Sequence, residues 1–231
     1  MNRDLLAALN RARSGKRRVC LVRYLGDGAV ALVVDGEAEI GEVPPDVAEA
    51  VEDALRRDRS ATVETSRGAT FLQVFNPPLR LIVVGAVHIA QALAPVASLA
   101  GYHVTVVDPR RVFATDSRFP DVAMTRDWPD EALASLAPDR RTAVVTLTHD
   151  PKLDDPALDV ALRGEAFYVA ALGSKRTHAG RLERLRALGH GEAVLARIHG
   201  PAGLEIGAVS PAEIAVSVMA EMTRALRRPA G

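Results

Sequence analysis

Apolar residues first recur at helical spacing. Leu5, Leu6, Leu9 and Ala12 share one predicted face, with Arg3, Asp4 and Arg11 left to water. The pattern then shortens into two strand-like runs, Val19 to Tyr24 and Ala29 to Val34, joined by a Gly26-Asp27-Gly28 turn. Pro44 and Pro45 stand at the start of a predicted helix carrying Val47, Val51 and Leu55, a place where proline's fixed φ is tolerated. Thr62 to Thr65 and Thr70 to Phe75 predict a second hairpin around Arg67-Gly68. Residues 1–76 therefore read as a small α+β domain.

Asn76-Pro77-Pro78 breaks every periodicity and lacks two backbone donors, which makes it the predicted linker. Beyond it the pattern changes. Leu79 to Gly85 is an apolar run broken only by Arg80, as expected of a strand buried on both faces of a parallel sheet. An Ala-rich helix from Val87 to Ala100 follows, then a strand from His103 to Val107. The alternation continues with a helix at Trp128 to Leu136, a strand at Ala143 to Leu147 and a helix at Pro156 to Leu162. A strand at Phe167 to Leu172, a helix at Ser174 to Leu188 and a last helix at Pro211 to Leu226 complete it. Residues 77–231 thus predict an α/β fold, a Rossmann-like doubly wound parallel sheet.

Composition narrows the partners. The 29 basic side chains balance 29 acidic ones, leaving no basic surplus for nucleic acid or an anionic membrane surface. Aromatic residues make up only 4%, too few for a base-stacking platform. No apolar run is long enough to span a bilayer and no signal-like segment opens the chain, so the expected location is the cytoplasm. Cys20 is the single cysteine; it can form neither an internal disulfide nor a multi-cysteine metal site, and no metal site is expected. Its place inside a predicted strand suits a buried small hydrophobe.

Candidate chemistry lies at the predicted strand ends, where open α/β sheets bind ligands. The turn Gly85-Ala86-Val87-His88-Ile89-Ala90 supplies the first and third small residues of a dinucleotide turn, but Val87 stands where the second glycine would admit pyrophosphate. Asp108 lies about 20 residues further on, where an acidic residue would accept ribose hydroxyls. Thr148, His149 and Asp150 end another strand; His149 can act as acid, base or ligand, and Asp150 suits a helix cap. Gly173, Ser174, Lys175 and Arg176 combine a special turn, an N-cap and cations at a helix start, a pattern resolved by a bound anion. A glycine-rich loop carries His199, Gly200, Gly203 and Glu205, and Glu205 could pair with His149 or His199 for acid/base work.

These blocks resemble the XdhC/CoxI family, accessory proteins of xanthine dehydrogenase and related molybdenum hydroxylases. The likeness rests on Leu81 to Ala90, Val104 to Arg110, Thr146 to Asp155, Tyr168 to His178, Arg197 to Pro201 and Gly203 to Gly207. It implies a chaperone, rather than a catalyst, that binds molybdenum cofactor (molybdopterin) and serves a molybdenum hydroxylase and a cofactor sulfurase. Gly85, His88, Asp108 and Arg110 belong to the binding residues it implies, beside those at the later strand ends. A homodimer is a further expectation from the family, unsupported by any heptad. The family turn usually has glycine where Val87 stands, and residues 1–76 lack the G-S-x-P-R-x-x-G segment of longer members. Two alternatives stay open: an NAD(P)-dependent oxidoreductase resting on Gly85, Ala90 and Asp108, and a non-catalytic scaffold using residues 1–76.

Overall fold

The computed structural model describes residues 3–110, 112–115 and 117–227. The chain divides into two units, Met1–Pro77 and Pro78–Gly231. The first begins with α1 (Arg3–Ser14), β1 (Val19–Tyr24), β2 (Val30–Val34), β3 (Glu37–Ile40) and α2 (Pro45–Arg57). The hairpin β4 (Ala61–Thr65) and β5 (Gly68–Phe75) completes it. The five strands form one antiparallel sheet in the order β3-β2-β1-β5-β4.

Strand alternation gives that sheet two apolar faces. Cys20, Val22, Tyr24, Val33 and Leu72 meet Val47, Val51 and Leu55 of α2 on one side. Val19, Leu21, Leu32 and Val34 meet Leu5, Ala8, Leu9 and Ala12 of α1 on the other. Leu6 departs from the expected face: it is 41% exposed, because it lies one residue, about 100° of helix, from Leu5 at the stripe's centre. β3 has no apolar alternation to announce it, since Glu37, Ala38 and Glu39 are exposed at the sheet edge.

The second unit runs β6 (Leu79–Val84), α3 (His88–Leu99), β7 (Tyr102–Val107), β8 (Ala123–Thr125) and α4 (Pro129–Leu136). It continues with β9 (Thr142–Thr146), α5 (Pro151–Arg163), β10 (Tyr168–Ala171) and α6 (Lys175–Ala187). α7 (Glu192–Leu195), β11 (Ile198–His199) and α8 (Pro211–Arg227) end it. All pairings are parallel, in the order β11-β10-β9-β6-β7-β8. Counting β6 as first, this is the Rossmann order 3-2-1-4-5-6 read from the other edge.

Leu81, Val83, Val145 and Tyr168 face α3 and α8 with Leu93, Val218 and Met222. Ile82, Val84, Val144 and Val169 face α4, α5 and α6 with Leu133, Leu158 and Leu185. α5 starts earlier than its apolar pattern suggests, because Asp150 caps the Lys152 amide at 2.9 Å and Pro151 occupies the first helical position. Every crossover brings a strand's carboxyl end to the same edge, so the loops after β6, β7, β9, β10 and β11 gather there.

Candidate functional site

The turn after β6 is built against the loop after β9. Gly85 has φ +110°, and a Cβ placed there would lie 2.6 Å from the Thr148 methyl group. Asp108, buried at the end of β7, fixes the other side of this turn. Its Oδ2 accepts the Ala86 amide at 2.8 Å, and Arg110 donates to both oxygens from Nε (2.9 Å) and Nη2 (2.8 Å). The Arg110 amide adds a fourth bond at 2.9 Å. Burial pushes the Asp108 carboxyl up, but the Arg110 side chain and the Ala86 and Arg110 amides outweigh it and hold it below the ordinary aspartate range. A ribose in the standard dinucleotide pose would have to compete with this bidentate arginine for the carboxylate. Val87 is the residue preceding α3 and provides no side-chain cap, and His88 is exposed at the first helical position.

The loop after β9 is organised by Asp154, a residue outside the predicted set. This carboxylate is 1% exposed. Its Oδ1 accepts the Thr148 hydroxyl at 2.6 Å and the Thr148 amide at 3.3 Å, and Oδ2 accepts the His149 amide at 3.1 Å. His149 is thereby held at φ +62°, a left-handed conformation that costs energy in any residue but glycine. Burial raises the Asp154 carboxyl above its ordinary range, opposed by the Thr148 hydroxyl and the charge of Arg181.

Arg181 is the largest fully buried side chain of the second unit, at 1% exposure. Its Nη2 donates to the Leu172 carbonyl at 2.9 Å and lies 3.8 Å from Asp154 Oδ2. Its Nε and Nη1 are buried without a partner. Burial pulls the guanidinium below its ordinary value, against the pull of Asp154 and Asp155. Between α5 and α6 lies a cleft of about 280 Å³ lined by His149, Pro151, Asp154, Asp155, Arg176, Thr177, Gly180, Arg181 and Arg184. Ser174 begins α6 by accepting the Thr177 amide at 3.1 Å, and Gly173 at φ +145° sits tightly on Thr177. Lys175 and Arg176 are exposed in the first turn, and only Arg176 of the two lines the cleft.

The loop after β11 belongs to the opposite face of the sheet. His199 Nδ1 lies 3.2 Å from Glu221 Oε1, and the imidazole is 4.6 Å from the Tyr168 ring. Glu221 Oε2 accepts the Tyr168 hydroxyl at 2.8 Å and the Gly203 amide at 2.9 Å, while Arg224 approaches Oε1 at 3.2 Å. Burial, then the Glu221 charge, drive the Tyr168 phenol well above its ordinary value. The carboxylate beside His199 is thus Glu221 rather than Glu205, which is exposed. Gly200 leaves room for the His178 imidazole, and Gly203 for Ser217.

The profile of a known family, described as the XdhC Rossmann domain, matches residues 81–222. The chain belongs to the XdhC family. It is 34% identical over 148 residues to the molybdenum cofactor insertion chaperone PaoD of Escherichia coli K12, covering 64% of this chain and 40% of that one. It is 33% identical over 161 residues to a Bacillus subtilis 168 protein described as a probable xanthine dehydrogenase subunit, covering 69% and 47%. An uncharacterized Escherichia coli protein, YqeB, matches at 32% identity over 154 residues, 67% of this chain and 28% of that protein. This chain spans less than half the length of each of these curated relatives. A solved structure described as a xanthine dehydrogenase from Bacillus halodurans superposes with a TM-score of 0.69 at 25% identity, covering 98% of this chain and 68% of that one.

The XdhC sheet edge therefore brings the predicted residues together in three groups. Gly85, Asp108 and Arg110 build one turn; His149 and Arg176 line the α5–α6 cleft, with Thr148, Asp150, Gly173 and Ser174 next to them in the chain where α5 and α6 begin; His199 and Gly203 lie on the α8 side, while Gly200 packs on His178 of α6. Asp154, Asp155, Arg181, Arg184 and Glu221 were outside the prediction. The available signal was position: Arg181 shares a helical face with Leu185, and Glu221 lies between the buried Val218 and Met222 of α8. Among the described residues, no group of three His, Cys, Asp or Glu side chains could hold a metal ion. No described helix is long and apolar enough to cross a membrane.

Proposed function

We propose that this chain is an accessory protein that binds molybdenum cofactor and delivers it to a xanthine dehydrogenase-type molybdenum hydroxylase. The observation that carries this reading is the start of α6, where Lys175 and Arg176 stand beside helix-terminal amides at the sheet's carboxyl edge. Two cations at the positive end of a helix dipole are each unfavourable by roughly 0.3–1 kcal/mol until an anion joins them. Molybdopterin ends in a phosphate monoester, which matches that need. The buried Arg181 fits the same group, because its Nε and Nη1 have no oxygen partner and a guanidinium with unfilled donors favours an anionic neighbour.

Family membership and the likeness to a molybdenum cofactor insertion chaperone support the choice of cofactor. When bound, the cofactor would supply the molybdenum centre that the hydroxylase uses. This chain's own part is to hold the phosphate end through Gly173, Ser174, Lys175 and Arg176, and to place Thr148, His149 and Asp150 beside it. A cofactor sulfurase is the second partner in this reading, the cytoplasm its location and a homodimer its working form.

The test is retention of purified molybdenum cofactor by the full chain on gel filtration, followed by transfer to an apo-hydroxylase. The expected result is co-elution and a gain of hydroxylase activity. Co-elution no greater than with an unrelated protein overturns the proposal.

A further inference from the structure

The α5–α6 cleft poses a specific electrostatic problem. Five charged side chains line it: Asp154, Asp155, Arg176, Arg181 and Arg184. The carboxylates are already engaged within the protein. Asp154 accepts from Thr148 and His149, and Asp155 accepts from Arg184 Nε at 2.5 Å and Nη2 at 3.1 Å. Arg176 makes no ion pair among the described residues, and Arg181 keeps two buried donors without partners. Buried polar atoms left unpaired are rare in folded proteins, and a guanidinium is the costliest kind to leave so. The lining thus has more cationic donors than oxygens to receive them.

We propose that this cleft is a phosphate-binding subsite for a phosphate monoester or diphosphate, with Arg181 as its buried anchor and Arg176 and Arg184 at its rim. Size supports the assignment. Pockets that enclose a whole drug-sized ligand measure roughly 300–1,000 Å³. At about 280 Å³ the cleft suits the phosphoryl end of a ligand whose remainder lies outside. Position supports it as well, because α6 is a thirteen-residue helix whose first turn borders the cleft through Arg176 and Thr177. The proposal deepens the cofactor reading by assigning the phosphate to one cleft and one buried arginine. The same chemistry would also serve a free diphosphate or a nucleotide.

The experiment is calorimetric titration of the full chain with pyrophosphate and with inorganic phosphate at low salt, beside ¹⁵N NMR of the arginine Nε–H groups. Pyrophosphate is expected to bind, to weaken at high salt, and to shift the Arg181 Nε resonance. Arg176→Glu alters an exposed residue and is expected to weaken binding at least about tenfold, as loss of a charge-assisted contact does. Arg57→Glu, a charge reversal in the first unit, is expected to leave it unchanged. Arg181→Met is expected to abolish binding; should that variant fail to fold, the Arg181 resonance in the wild type decides. No pyrophosphate binding, or binding indifferent to Arg176→Glu with an unmoved Arg181 signal, overturns the subsite.

A competition arm separates the subsite from the cofactor reading. Displacement of bound molybdenum cofactor by pyrophosphate supports the subsite and identifies the cofactor's phosphate as its occupant. Pyrophosphate binding at Arg181 by a protein that retains no cofactor supports the subsite and overturns the cofactor reading. Cofactor retention without pyrophosphate binding does the reverse.

Discussion

The methyl group of Thr148 fills the space in which a side chain at Gly85 would stand, so the turns after β6 and β9 interlock at the centre of the sheet. Gly85→Ala is therefore expected to destabilise the protein by about 2–4 kcal/mol, through overpacking and a positive φ together. Adding Thr148→Ser removes the obstructing methyl but keeps the hydroxyl that Asp154 accepts. The double variant is expected to recover about 1 kcal/mol, read from a double-mutant cycle in urea. Strict additivity would show that the two turns do not touch in solution.

Asp108 ties Arg110 to the Ala86 turn. Asp108→Asn is expected to cost about 2–3 kcal/mol near neutral pH, since it removes a charged acceptor from a buried bidentate pair. Its native carboxyl titrates below the ordinary aspartate range. The stability it contributes is complete above that range and is lost as pH falls through the native value. Denaturation of both proteins from pH 7 to acid should show the gap between them closing only at the acid end.

His149 sits at φ +62° because Asp154 holds its amide. His149→Gly is expected to be as stable as the wild type, or more stable by up to about 1 kcal/mol, since relief of the strain outweighs the added freedom of the unfolded chain. His149→Val should lose about 1–3 kcal/mol. Equal losses in both variants would mean that the imidazole's contacts, not the backbone, set the loop's stability.

Tyr168 donates to a Glu221 carboxylate that also receives the Gly203 amide. Tyr168→Phe is expected to cost about 1–3 kcal/mol, with the larger loss in Glu221→Leu, which strands both donors. Hydrogen exchange at Gly203 should accelerate in Glu221→Leu; an unchanged rate would contradict the contact.

Cys20 lies wholly buried in the first unit, and burial pushes its thiol up to about 12. A disulfide reagent at pH 8 is expected to leave it unmodified in the native protein and to react at a rate that rises with denaturant in step with unfolding. Reaction at the rate of free cysteine would show the strand to be open.

Where hydropathy and geometry agree, the chain is readable. β1 and the buried parallel strands declare themselves through Val19 to Tyr24, Leu79 to Val84 and Tyr168 to Ala171, because burial on both faces leaves almost no polar residue among them. β3 does not, because Glu37 and Glu39 face water at an edge, and β8 is three residues long with no fully buried side chain. α5 hides its first turn behind Asp154 and Asp155, which read as solvated yet are buried. The site has the same asymmetry. Glycines and caps such as Gly85, Gly173 and Ser174 are local signals, whereas Arg181 of α6 meets the Leu172 carbonyl and Asp154 only once α5, α6 and the end of β10 have come together. Long-range electrostatic partners leave no mark in a local pattern, except a charged residue on an otherwise buried helical face.

The strand orders also bear on the sequence in which the chain organises itself during synthesis. Every strand of the antiparallel sheet lies within residues 19–75, so that sheet has all its partners once the linker at Pro77 and Pro78 has left the ribosome. β6 comes next but sits at the middle of its own sheet, flanked by β7 and by the much later β9. Until Thr142–Thr146 is translated, one hydrogen-bonding edge of Leu79–Val84 has no partner from its own sheet. At a synthesis rate of about 5–20 residues per second, that apolar edge stays open for several seconds. Nascent chains of this protein should accordingly be most prone to chaperone capture in that interval, after the first unit has closed and before β9 arrives.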